Sequence, residues 1–379
     1  MKNIYEFLKN LKDEKRTKEC QLLIVNDDNQ AQIASDIVAY LGLKPFVISD
    51  FRANFGDDLL SFSDELQEIT KTLSSYYSYK KLDKILISPI RTVSFSLPKE
   101  KCFDSFSVNF ADTIKIDELK SKLYNWGYYF VDIVTSEGEV SIRGDIIDIC
   151  PLGSEAGYRI SLFDDEVESI RKFDIEDQKS TKDEIETFTI NPAFLALDEN
   201  SLSEINEKIE NISSDAFIKD IHSLGFWYLD ELGEYLPQKL SSFITQEALD
   251  ELDEVYVFEE KRVNKDKFLL TPQIYHSKNY QEIAPANVKE FISFHKEKKI
   301  TIISGTEAKI KGYDLDLSDK NIKYVLENYI INLVSDDEVI ISLNKEVKKR
   351  RKKKVKLVLD ELQLNDYVVH EKHGIGQYK

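Results

Sequence analysis

The chain has 379 residues, 42% of them apolar, with 21 Phe and 19 Tyr against 13 Gly and 8 Pro, which supplies several cores and excludes disordered and collagen-like classes. Its net charge is −18, yet the nine Lys or Arg and one Glu between residues 345 and 356 carry +8, so the rest carries −26. A body that acidic is repelled by nucleic-acid phosphates, and only the basic run is suited to touch them. No apolar run approaches the roughly 20 residues of a membrane span, and the mixed-charge N-terminus is unlike a leader. A cytoplasmic location is therefore expected. Cys20, Cys102 and Cys150 lie too far apart for a metal knuckle or a disulfide framework.

In chain order, residues 1–106 alternate short apolar runs with helical periodicity: strands at 21–25, 46–48 and 85–87, helices at 31–41 and 59–73. That alternation predicts a parallel sheet with the rhythm of a nucleotide-binding fold. Where a phosphate cradle would place glycines and a lysine, the sequence reads Asn26-Asp27-Asp28-Asn29. Two carboxylates there suit the helix dipole but repel phosphate. The patterns GxxxxGK[ST], HExxH, GxSxG and CxxC do not occur. The segment thus reads as an NTPase-type scaffold without the chemistry. His370 and His373 have metal-ligand spacing but no third ligand in register, so no metal is expected.

Residues 107–192 change character. A helix at 117–126 carries Leu119, Leu123 and Trp126 on one face, followed by strand-like runs at 128–134, 140–150, 158–163, 167–173 and 186–190. Turn residues separate them at Glu137-Gly138-Glu139, Pro151-Leu152-Gly153-Ser154 and Asp164-Asp165. This is an α+β insert. Its Trp126, Tyr128 and Tyr129 suit either a core or a base-stacking surface. Gly144 and Gly153 read as backbone-geometry residues.

The stretch 201–249 has helical periodicity and 255–258 is a strand candidate, so 193–267 reads as the second half of a discontinuous first domain. A small α/β domain follows over 268–345, with a helix closing at 291–294 and strands at 300–304 and 338–343. The basic linker 346–361 is either a solvated tether or a nucleic-acid contact. Over 362–379 a strand at Tyr367 begins a domain that the chain does not finish, which implies a longer protein.

The insert also carries a family pattern. SIRGDIIDICPLGSE (141–155) and YRISLFDDEVESIR (158–171) resemble a segment shared by the excision-repair helicase UvrB and the bacterial transcription-repair coupling factors (Mfd). The ending LNDYVVHEKHGIGQY (364–378) resembles the coupling factors' entry to an RNA-polymerase-interaction domain, with Asn365 and Gln377 where that family has Gly and Arg. The second match and the absent P-loop favour the coupling factors over UvrB.

The resemblance implies a multi-domain α/β chain: a UvrB-like degenerate P-loop-type α/β domain with an inserted α+β UvrA-binding domain, then a small α/β domain. It implies UvrA contacts at Arg143, Arg159 and Phe163, a set that combines charge-assisted pairing with an aromatic anchor. The acidic stretch 164–168 would set register. The alternative for these residues is internal, with both arginines paired to 164–168 and Phe163 in the core. RNA polymerase would be met through the domain begun at 362. DNA, ATP and Mg would belong to a motor beyond Lys379, so no enzyme activity and no cofactor are expected here. In the intact family a C-terminal domain masks the UvrA surface, so this chain is expected to bind UvrA without an activating signal. Two rival readings are a UvrB-like nucleotide-dependent repair helicase component and a regulator of polymerase acting through 364–379.

Overall fold

The computed structural model describes residues 1–52, 62–154, 156–212, 233–258, 273–313, 321–345, 367–370 and 374–377. Met1–Asn344 form one compact unit and Lys345–Lys379 a second. Helix α1 (Lys2–Asp13) buries Ile4, Tyr5, Leu8 and Leu11, a spacing that puts all four on one stripe. Strand β1 (Leu22–Val25) is Leu-Leu-Ile-Val and buried throughout, as a strand covered on both faces must be. After it come α2 (Asp28–Tyr40), β2 (Lys44–Val47), α3 (Ser63–Ser78), β3 (Lys84–Pro89), the single turn α4 (Ile90–Val93) and β4 (Leu97–Pro98). Strand β3 pairs in parallel with both β1 and β2, the sheet that the alternation predicts.

The insert comprises β5 (Phe106–Asn109), α5 (Ile116–Asn125), β6 (Tyr129–Phe130), β7 (Glu139–Arg143), β8 (Ile146–Cys150), β9 (Gly157–Phe163), β10 (Glu166–Phe173), β11 (Ser180–Glu184) and β12 (Thr187–Ile190). Six strands form one sheet in the order β11-β10-β9-β8-β7-β6, antiparallel except for β6, which runs parallel to β7. Strands β5 and β12 pair antiparallel, which brings entry and exit together. One sheet face packs Val140, Ile147, Ile149, Ile160, Leu162 and Ile170 under Leu119, Leu123 and Trp126 of the α5 region. Trp126 and Tyr128 are buried in that core, and the Tyr128 hydroxyl donates to the Asn191 carbonyl at 2.6 Å, so they form no base-stacking surface; Tyr129 is exposed. Strand β11 has five exposed residues and no apolar alternation, which is why the sequence pattern misses it.

The chain continues through α6 (Glu199–Ile212), β13 (Gly233–Glu234), α7 (Leu236–Lys239), β14 (Ser242–Ile244) and α8 (Gln246–Phe258). Strand β14 pairs in parallel with β1 and completes the order β14-β1-β3-β2. Three residues are too few for a period to show, so the helical reading of 201–249 passes over it. The strand candidate at 255–258 is the end of α8 instead. Val255, Tyr256, Val257 and Phe258 favour strands locally, but the helix already running from Gln246 carries them.

A second mixed sheet is built from β15 (Gln281–Glu282), α9 (Val288–Phe294), β16 (Lys299–Ile303), α10 (Glu307–Gly312), β17 (Ile322–Val325), β18 (Leu333–Val334) and β19 (Glu338–Ser342), with strand order β15-β18-β19-β16-β17. Its Ile303, Ile331, Leu333 and Ile340 share one core with α1, α2 and the Leu23, Val25, Ile85 and Ile87 face of the first sheet. Lys9 Nζ donates to Glu338 Oε1 and to the Tyr280 hydroxyl, both at 2.6 Å, and that hydroxyl donates to the same carboxylate at 2.5 Å. In the C-terminal unit, β20 (Tyr367–His370) and β21 (Gly374–Gln377) pair as an antiparallel hairpin, where the sequence reading has a single strand. The basic run from 346 onward and His373 lie outside the described residues. Among the described residues, no His, Cys, Asp and Glu group forms a metal site and no helix is long and apolar enough to cross a membrane.

Candidate protein-docking site

The face of the six-stranded sheet opposite the α5 core holds the three residues singled out in the sequence, and one end of that face is covered by a small core of Val134, Cys150 and Phe173. Antiparallel partners share a face, and the register aligns Ser141, Asp148, Arg159, Arg171 and Glu184 in one row across β7 to β11. The next row holds Arg143, Ile146, Ser161 and Ser169. Phe163 lies one step further along β9, diagonal to Ile146 and opposite Glu166. The structure thus brings Arg143 of β7 and Arg159 and Phe163 of β9 onto one face, with β8 between them.

Two tight turns shape the edge beside them. Gly144 has φ 59° in the β7–β8 turn, with nothing within 4 Å of where a Cβ would sit, so it is backbone geometry and not a contact that needs glycine there. Asp164 adopts φ 54° in the β9–β10 turn, a conformation aspartate tolerates. The Leu162 amide donates to the Asp145 carbonyl at 2.8 Å, which ties the two turns side by side.

The internal alternative is not what the structure contains. Phe163 is 70% exposed and outside every core. The arginines pair with Asp148, not with residues 164–168. Arg159 Nε donates to Asp148 Oδ1 at 2.7 Å and its Nη2 to Oδ2 at 2.9 Å, while Arg143 Nη2 donates to the same Oδ2 at 2.9 Å. Burial of the carboxylate opposes charge, and these charge-assisted bonds compensate it. Arg159 Nη1 also donates to Ser180 Oγ at 3.0 Å, and its guanidinium lies 5.0 Å from the Phe173 ring centre. The hydrogen bonds it donates to Asp148 hold the Arg159 guanidinium protonated to still higher pH than usual.

Asp148 and Ile146 were not singled out in the sequence. The available signal was period 2 in Ile146-Ile147-Asp148-Ile149-Cys150, which puts Ile146 and Asp148 on the face opposite the core residues Ile147 and Ile149. A lone acid inside an apolar strand demands a cationic partner, but only the register identifies which. Ile146 is 40% exposed and extends the apolar surface offered by Phe163.

The β1–α2 loop does not fit a phosphate site. Asp27 caps α2 by accepting from the Gln30 amide at 2.8 Å, and Asp28 accepts from the Asp50 amide at 2.8 Å. The Gln30 side chain accepts from the amide of Asn26, the residue before the N-cap, at 3.0 Å and from the Thr245 hydroxyl at 2.7 Å. Side chains thus already take amides that a phosphate would need. The one buried polar atom left over, Asn26 Oδ1, is an acceptor and offers phosphate nothing.

Comparison with known proteins places this face within a described family. Residues 106–195 match the family described as the UvrB interaction domain. The chain is 32% identical over 362 residues to the transcription-repair-coupling factor of Helicobacter pylori, covering 94% of this chain and 36% of that protein. The transcription-repair-coupling factor of Bacillus subtilis is 25% identical over 406 residues, 78% of this chain and 34% of that protein. That of Escherichia coli is 36% identical over 140 residues, 35% of this chain and 12% of that protein. The chain spans about a third of the length of the first two relatives.

Proposed function

From the premise that the chain is homologous over nearly its whole length to the transcription-repair-coupling factors and carries a UvrB interaction domain, we propose that it recruits the excision-repair protein UvrA to stalled RNA polymerase. The docking surface is the uncovered part of the outer face of β7–β10, with Phe163 and Ile146 as the apolar centre and Arg143 and Arg159 as the cationic flank. The observation that carries this reading is the exposure of Phe163 beside two oriented arginines, on the part of the sheet face beyond the small core of Val134, Cys150 and Phe173. Exposed aromatics and arginines of this kind are where interface energy concentrates.

The remaining parts of the reading follow the family. The N-terminal sheet is a UvrB-like scaffold whose phosphate loop has been replaced by helix-capping side chains, so it positions the insert and hydrolyses nothing. The hairpin of β20 and β21 opens the polymerase-interaction domain. ATP with Mg, and DNA translocation, belong to parts of the relatives outside the matched third. The setting is the cytoplasm.

Titration of the chain with purified UvrA tests the proposal. Saturable binding weakened by Arg143→Ala and by Phe163→Ala is expected; no association, or association that ignores both changes, contradicts it.

A further inference from the structure

Building on the UvrA-docking reading of this face, we propose that Asp148 is the positioning residue of the contact, clamped by Arg159 so that it presents the Arg143 guanidinium to the partner. Asp148 is 1% exposed and cannot itself reach a partner surface. Its two carboxylate oxygens are spanned by Arg159 through Nε and Nη2, and Arg143 takes a further bond on Oδ2. Three nitrogens of Arg159 are engaged within the sheet, two on Asp148 and one on Ser180, and the guanidinium packs over the Phe173 ring. Its side chain is only 25% exposed. Arg143 differs in each respect. Its side chain is 56% exposed, and among the described residues Nη2 to Asp148 is its one hydrogen bond, so Nε and Nη1 remain for a carboxylate on the partner.

The division of labour has a physical basis. Arginine loses much rotamer entropy when fixed, and a side chain already held by an internal bond loses less on docking. Two guanidinium groups against one carboxylate also leave a net positive charge, and that charge sits on the more exposed arginine. Arg159 thus contributes to binding through Asp148 and Arg143, whereas Phe163 contributes on its own.

The test is a set of double-mutant cycles on the full chain, read as the dissociation constant for purified UvrA at fixed salt, with thermal unfolding of each variant as the folding control. Asp148→Asn is expected to weaken binding about tenfold in the wild-type background and less than about twofold once Arg143 is Ala. Arg159→Lys keeps the charge but cannot span both carboxylate oxygens; it is expected to show the same coupling and stands in if Asp148→Asn does not fold. Phe163→Ala is expected to add to either change without coupling. Equal losses with and without Arg143, or no loss, overturn the positioning role while Arg143→Ala and Phe163→Ala still weaken binding and uphold the docking surface. If those two changes are themselves silent, the docking reading fails and takes the role of Asp148 with it.

Discussion

Phe163 ends β9 with most of its ring in solvent, and a ring so placed adds little to folding. Phe163→Ala should leave the unfolding free energy within about 0.5 kcal/mol of wild type while weakening UvrA binding by about 2 kcal/mol. Early unfolding of that variant would assign the ring to the fold instead. Gly157 makes the opposite case. A Cβ there would stand 2.2 Å from the Phe173 ring, so Gly157→Ala must push Phe173 aside and disturb the ring over which Arg159 packs. A loss of about 1–3 kcal/mol in unfolding free energy is expected. Arg143, Arg159 and Phe163 were legible because they sit in a dense family pattern. Asp148 was not, because its role depends on which strand pairs with β8 and in which register.

At the scale of elements, α2 and α1 show how the sequence builds its junctions. Asp27 occupies the N-cap of α2, and Asp27→Ala should lower stability by about 1 kcal/mol without creating ATPase activity. A nucleotide hydrolysis rate abolished by that change would revive the enzyme reading. Helix α1 meets β19 through Glu338. Burial alone would raise its carboxyl pKa, but hydrogen bonds from Lys9 and Tyr280 outweigh burial and hold it below the ordinary value of 4.5. Such a group binds fewer protons folded than unfolded, so its stabilisation is present above 4.5 and is lost as pH falls below it. Glu338→Gln should therefore unfold more easily at pH about 7 and lose less than wild type on acidification to about 4, read by denaturant midpoints. Strong periodicities such as those of α2, β1 and β9 are visible in sequence. Strand β14, with three residues, is not, because its partner β1 far along the chain creates it, and neither is β11, because none of its five residues is buried to leave an apolar alternation.

Across the whole molecule, charge and length set the frame that the structure fills. The acidic body folds as mixed α/β structure with several sheets, and its two larger α/β sheets share a core through α1 and α2. Sequence periodicity reports elements but not which faces meet, and the shared core depends on which faces meet. The UvrB interaction domain projects a sheet face bearing an exposed aromatic and oriented arginines, which is the chemistry of a protein contact. Because UvrB and the coupling factors share the segment that carries this face, both should use one site on UvrA. The most direct measurement is a competition titration in which a preformed complex of labelled chain and UvrA is challenged with unlabelled UvrB. Full displacement of the chain is expected, with an apparent affinity that shifts in the Phe163→Ala variant. A ternary complex that retains the chain while UvrB binds would contradict docking through this face.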